Sequence, residues 1–177
     1  MPCDKNALFD FLSVLNEDLT KKITLVAAGG TAMTLLDLKN STIDIDFTIP
    51  GCDRVEFEQA LKNNPPGYKV DRWTDGCIFC QTLPKDYLEK SIKIKEFNHI
   101  ILRALQPVDI IATKIGRLNA RDIQDIEACI KKANVSEAEI EERAKLVVQT
   151  YREPEEDYLQ HLDLVLQRFF KKSRGST

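Results

Sequence analysis

The 177-residue sequence contains no apolar run near the ~20 residues that a membrane-spanning helix needs. Its first residues, Met1-Pro2-Cys3-Asp4-Lys5, lack the basic and apolar regions of a secretory leader, so a cytoplasmic location without membrane contact is expected. A basic excess is also missing. The 25 Lys and Arg stand against 28 Asp and Glu, and the net charge of −3 excludes a globally basic nucleic-acid coat. Any contact with nucleic acid must be local. Histidine is scarce: His99 and His161 are the only two, without ligand spacing. The five cysteines are an odd number, and Cys77 and Cys80 form a lone CxxC with no second pair. That makes a poor zinc site, and reduced thiols are expected throughout. Internal repeats and low-complexity linkers are absent. What remains is 43% hydrophobic and 30% charged, the profile of an ordinary globular domain.

Hydrophobic spacing sets out the elements. Leu8, Phe11, Leu12, Leu15 and Leu19 recur at helical intervals. Ile23 to Ala28 reads as a buried strand, broken by Gly29-Gly30, with Thr31 as the N-cap of a helix to about Leu38. Ile43, Ile45, Phe47 and Ile49 alternate with Asp44, Asp46 and Thr48, the period of a half-buried strand. Asp53 and Glu56 resemble a capping box for the next helix. Tyr68–Trp73 and Cys77–Leu83 predict a hairpin around Asp75-Gly76, and 92–97 with 100–105 a second one. From Pro107 the pattern is helical, with a second helix from about Asp122, a Ser136/Glu139 capping box, and Pro154 ahead of a last helix. Arg168, Lys171, Lys172 and Arg174 form a small basic tail. The order predicts an α+β fold, a mixed sheet flanked by helices with a helical C-terminal third. Residues 1–106 would form the core, and 107–177 a helical region packed on it as one structural unit.

Asp44 and Asp46 are two apart on a strand, so their side chains share a face about 6.5–7 Å apart. Carboxylates that close repel unless a cation lies between them. Magnesium suits the pair, because it takes one or two carboxylates and completes its shell with water and phosphate oxygens. A solvent-facing strand edge would also carry two acids. The upstream Gly29-Gly30-Thr31 adds a second half. Two glycines opening a helix expose backbone N–H groups to a phosphate, and Thr31 offers a hydroxyl. A nest and an acidic pair on consecutive strands together suit a metal-bound triphosphate.

Val26-Ala-Ala-Gly-Gly-Thr31, twelve residues, then Asp44-Ile-Asp46-Phe resembles the signature of the DNA polymerase beta-type nucleotidyltransferase superfamily. The stretch Lys114-Ile-Gly-Arg-Leu-Asn-Ala-Arg121-Asp122-Ile-Gln-Asp125 resembles motifs of the AbiEii-like toxin branch and its prokaryotic relatives. Thr31 replaces the commoner serine and keeps its hydroxyl; Arg121 stands where that branch usually has lysine, which changes the geometry of the charge.

The resemblance implies a fold, an activity and a set of residues. Asp44, Asp46 and a third carboxylate would be catalytic and hold Mg²⁺ (or Mn²⁺), with Asp71 the best-placed candidate for the third. Gly29, Gly30 and Thr31 would bind the phosphates of a nucleoside triphosphate donor. Lys114, Arg117 and Arg121, spaced with Asp125 along one helical face if the helix continues through Asn119, would supply positive charge to it. Asp122 and Asp125 would be supporting acids. Trp73, Phe79 and Tyr87 read as core or pocket wall rather than a base-stacking platform.

The implied reaction moves a nucleoside monophosphate to an acceptor and releases pyrophosphate. RNA, protein and small-molecule acceptors suit the same donor site, and an antitoxin is a possible partner of the toxin branch. The alternative is a catalytically inactive module of the same fold that binds a nucleotide or a partner. A metal-dependent phosphohydrolase is a third reading.

Overall fold

The computed structural model describes residues 2–79, 81–150 and 156–171. Cys80 of the CxxC pair, Pro154 at the expected helix break, and Lys172 and Arg174 of the tail lie outside them.

A short strand β1 (Cys3–Asp4) leads into helix α1 (Lys5–Asp18). Asp4 caps the helix by accepting the Ala7 N–H at 2.9 Å, and Leu8, Leu12 and Leu15 form its buried stripe. Strand β2 (Ile23–Ala27) follows, then α2 (Gly29–Leu35), β3 (Ser41–Thr42), β4 (Ile45–Ile49) and α3 (Gly51–Asn63). Next come β5 (Val70–Thr74), β6 (Cys77–Ile78), β7 (Gln81–Thr82), α4 (Tyr87–Lys90), β8 (Ile92–Glu96) and β9 (Ile100–Ala104). Four helices close the chain: α5 (Pro107–Ile115), α6 (Ala120–Ala133), α7 (Glu137–Val148) and α8 (Glu156–Phe169).

Five strands form one sheet in the order β5-β4-β2-β9-β8. It is mixed: β4 runs parallel to β5 and β2 parallel to β9, while β2/β4 and β8/β9 are antiparallel. The expected α+β class, the hairpin of β8 and β9, Pro107 at a helix start and the Ser136/Glu139 capping box are all present. The two faces of β4 divide the molecule. Phe47 packs edge-on against Phe57 of α3 with centroids 5.9 Å apart, while the Asp46 carboxylate lies on the other face, against the start of α2. Helix α2 also meets α5, which packs on α6, α7 and α8.

Six local expectations are corrected. Strand β4 is buried along its whole length, not on one face, because α2 covers Asp46 and the turn at Gly76 bonds Thr48. Ile43, counted with the apolar set, precedes the strand and is 61% exposed. Thr31 is not an N-cap: α2 begins at Gly29 after Ala28, and Thr31 lies inside the helix. Asp53 and Glu56 make no capping box. Their carboxylates accept backbone N–H groups from Thr24 (2.9 Å) and Thr20 (2.8 Å), so they tie α3 to the region around β2.

The third-strand hairpin also differs. Asp75 and Gly76 do turn the chain at positive φ (49° and 79°), but β6 pairs with β7, and β5 pairs with β4. The turn is bonded to the end of β4 instead, through Asp75 N–H to Ile49 (3.1 Å) and Gly76 N–H to the Thr48 hydroxyl (2.8 Å). Finally, no continuous helix carries Lys114 through Asp125. Helix α5 stops at Ile115, Leu118 turns the chain at φ 42°, and Asn119 caps α6.

Candidate active site

A cleft of about 280 Å³ opens beside the Asp46 end of β4. The parallel register of β4 and β5 sets Asp46 directly opposite Asp71. In a parallel pair, residues in register point to the same face, and Asp44, two positions earlier, joins them. All three carboxylates line the cleft. Asp46 is the deepest, 6% exposed.

Thr31 fixes the segment that carries this pair. Its hydroxyl accepts the Asp46 N–H at 2.9 Å and donates to the Asp44 carbonyl at 3.2 Å. Thr42 donates to the same carbonyl at 2.8 Å. The Thr31 hydroxyl, expected on a phosphate, is thus spent on the strand backbone, and its side chain is fully buried. The two glycines permit a close approach. A Cβ on Gly29, which sits at φ 50°, would lie 3.2 Å from Asp46 Oδ2, and one on Gly30 would lie 2.7 Å from the Thr42 hydroxyl. Both glycines border the cleft.

The opposite wall is cationic but internally paired. Lys114, 3% exposed, donates to Asp122 (3.0 Å) and Asp125 (2.8 Å). Arg117 grips Asp122 through Nε and Nη2, both at 2.8 Å. Lys39 reaches Asp125 at 3.0 Å. The result is an alternating chain, Lys39–Asp125–Lys114–Asp122–Arg117, which joins the loop after α2 to α5 and α6. Arg121 lines the cleft from the exposed first turn of α6. The break at 116–119 does not separate these groups; it folds α6 back so that all of them meet.

Five cleft residues were not anticipated there, Lys39, Thr42, Ile43, Lys69 and Asn119, while Phe79 lines it as the pocket wall expected of it. Lys69 bonds Asp71 at 2.6 Å. Its position two residues before Asp71 was a usable signal; Lys39 carried none. His161 lies outside the cleft with Nδ1 2.8 Å from the Ile115 carbonyl oxygen, and Cys3, Cys52 and Cys129 carry free thiols.

Burial pushes the Asp46 pKa up to about 6, and the negative charges of Asp71 and Asp44 add to the rise. The Trp73 indole and the Lys114 charge oppose it. The indole is near enough to favour the ionised carboxylate yet outside hydrogen-bond geometry. Asp46 Oδ1 and Trp73 Nε1 are the buried side-chain atoms without a hydrogen-bond partner among the described residues. Asp122 behaves oppositely: burial raises its pKa, but the Arg117 bond and the Lys114 charge win and hold it low. Bonding to Asp71 raises the Lys69 pKa, with Asp44 and Asp46 contributing.

Among the described residues, no three His, Cys, Asp or Glu side chains stand grouped as metal ligands. Lys69 already engages Asp71. The donor set nevertheless suits a hard cation, because a buried carboxylate with an orphaned oxygen and two acidic neighbours gains most from one. Another cavity, about 400 Å³ beside Leu118 and Leu164–Phe169, offers no carboxylate and is not a candidate.

A mixed sheet flanked by helices, with acids aligned across two parallel strands, is a nucleotidyltransferase architecture. Residues 6–174 match the family described as "Nucleotidyltransferase of unknown function" (DUF6036), and the chain belongs to that family. Two solved structures share the fold. The crystal structure of ANT(2″)-Ia in complex with adenylyl-2″-tobramycin superposes with a TM-score of 0.55 at 15% identity, over 82% of this chain and 98% of that one. The solution structure of the antibiotic-resistance factor ANT(2″)-Ia gives 0.53 at 14% identity, over 78% and 87%. No curated protein matches the sequence.

Proposed function

We propose that the cleft binds a nucleoside triphosphate with Mg²⁺ (or Mn²⁺) and transfers the nucleoside monophosphate to an acceptor hydroxyl, releasing pyrophosphate. The carrying observation is Asp46: buried, raised to about 6, one oxygen orphaned, with Asp71 in register beside it. A magnesium ion held by Asp44, Asp46 and Asp71 would activate the acceptor hydroxyl and neutralise the departing pyrophosphate oxygen. The chain's own groups do the positioning. Amide N–H groups at the start of α2, at Gly29 and Gly30, are available to phosphate oxygens, since first-turn amides lack intrahelical acceptors. Lys39, Lys69 and Arg121 border the cleft and can reach phosphates. Lys114 and Arg117 fix Asp122 and Asp125, and Lys39 bonds Asp125 from the other part of the chain, so α5 and α6 would complete the site.

The acceptor is an RNA end, a protein hydroxyl or a small molecule. Adenylyl-2″-tobramycin in the ANT(2″)-Ia structure illustrates the last class for that protein. The likeness of 114–125 to the AbiEii-like branch makes an antitoxin a candidate partner, tested by co-purification with a neighbouring gene product. A second reading, nucleotide binding without chemistry, draws on the Lys69–Asp71 pair, which occupies the third carboxylate.

The first experiment is thermal unfolding with each ribonucleoside triphosphate and Mg²⁺ or Mn²⁺, for wild type and Asp46→Asn. Ligand at 100 times its Kd stabilises by about 2.7 kcal/mol, a shift of roughly 5–10 °C for this size. A metal-dependent shift lost in the variant supports the donor site. No shift with any triphosphate defeats it. A shift without pyrophosphate release on adding acceptors favours the second reading.

A further inference from the structure

Arg117 was expected on the triphosphate, but its guanidinium is already committed. Its two bonds to Asp122 run in parallel, and Asp122 is 0% exposed, held also by Lys114 and the Asn119 N–H. A guanidinium gripped this way by a buried carboxylate has a fixed plane. The guanidinium carbon lies over the Phe79 ring, 4.3 Å from its centroid. Phe79 is braced in turn by Trp73, edge-on, with centroids 5.4 Å apart. Its backbone sits at φ 50°, a conformation an aromatic residue adopts only at a cost, so the packing around the ring must hold it there. The Arg117 side chain is still 42% exposed, and it lines the same cleft as Asp46. Trp73, Phe79 and Arg117 therefore build a braced stack that ends in a flat face at the cleft.

We propose that this face is the nucleobase subsite, the surface on which the base of the donor triphosphate stacks; this rests on the donor-site reading above. Bases stack on guanidinium planes and aromatic rings without their edges being read. A guanidinium whose charge is balanced by Asp122 has less to offer a phosphate than a free one, and its second face is what remains. Arg121, with no ion pair among the described residues, is left to the phosphates, and Lys39 and Lys69 can join it by exchanging Asp125 and Asp71 for phosphate oxygens, so the cleft divides into a charged end and a planar end. The planar end accepts any of the four bases, because stacking carries little base identity.

The test separates base from phosphate. Nucleoside triphosphate and inorganic tripolyphosphate, each with Mg²⁺, are titrated calorimetrically into wild type, Arg117→Lys, which keeps the charge and loses the plane, and Phe79→Leu, which keeps apolar bulk and loses the ring. Arg117→Lys and Phe79→Leu should each weaken nucleoside triphosphate binding about tenfold, the scale of losing one base stack, while tripolyphosphate affinity stays within about twofold. Equal weakening of both ligands, or unchanged nucleotide affinity in the two variants, overturns the subsite while leaving the donor site standing. Failure of wild type to bind either ligand removes the donor-site reading itself. Thermal melts of each variant identify any that is unfolded, and Phe79→Leu lies outside the ion-pair chain, so it keeps the test alive if Arg117→Lys does not fold.

Discussion

The hydroxyl of Thr31 accepts the backbone N–H of Asp46 at 2.9 Å, which ties the first turn of α2 to the strand bearing the deepest of the three aligned acids. Both partners are buried, and the donor has no water to turn to. Thr31→Val keeps the shape and removes the acceptor, so it should cost about 1–3 kcal/mol, the penalty of one buried unsatisfied N–H. Thr31→Ser should recover most of it. Urea denaturation measures both, and a Val variant as stable as wild type would sink the assignment.

Asp46 gives the metal-free protein a stability that falls with rising pH. Its folded pKa of about 6 lies above the ordinary 3.8, so the folded state binds the proton more tightly than the unfolded state. Its contribution is fully present below the unfolded value and is lost as pH rises through the folded one. The scale is about 3 kcal/mol. Asp46→Asn removes this slope, and in chelator near pH 7.5 the variant should melt above wild type while losing transfer activity. Parallel pH profiles for the two proteins would contradict it.

Lys69 competes with any divalent ion for Asp71. Lys69→Met should strengthen Mn²⁺ binding by roughly threefold to fivefold, the scale of one exposed ion pair, and Asp71→Asn should weaken it. Calorimetric titration of metal alone decides. Unchanged or weaker binding in Lys69→Met would mean that the lysine helps hold the ion's surroundings instead.

Arg143 has a different task. It bonds the wholly buried Asp109 and reaches Asp86 at 2.8 Å, joining α7 to α5 and to the start of α4. Burial pushes the Asp109 pKa up, and the Arg143 bonds oppose that rise. Arg143→Met strands the carboxylate, at a cost of about 3–5 kcal/mol. Arg143 does not line the cleft, so the nucleotide-induced melting shift should survive at the lower Tm. Loss of the shift in folded variant would link the two regions.

Most of the fold was legible because it rests on local signals: the stripe of α1, the start of α5 at Pro107, the paired strands β8 and β9. The Asp44/Asp46 pair was legible for the same reason, since spacing along one strand sets which face both occupy. Spacing could not reveal what Thr31 bonds to, because a hydroxyl inside a helix and one capping it look alike in sequence. Asp75-Gly76 signalled a turn but not a partner, and the long-range bonds to Thr48 and Ile49 decided the pairing. A second helix from about Asp122 was legible, but not how the chain turns between the two: the positive φ at Leu118 and the Asn119 cap fold α6 back beside α5. Lys39 escaped notice because its meeting with Asp125 spans 86 residues.

That span has a consequence for synthesis. A nascent chain that has emerged only as far as β9 already owns Asp44, Asp46 and Asp71, yet it has no Asp122 or Asp125 to receive Lys39. The mouth of the cleft is therefore closed late, when α6 leaves the ribosome and docks. Until then the acids of β4 and β5 face solvent without their opposing wall.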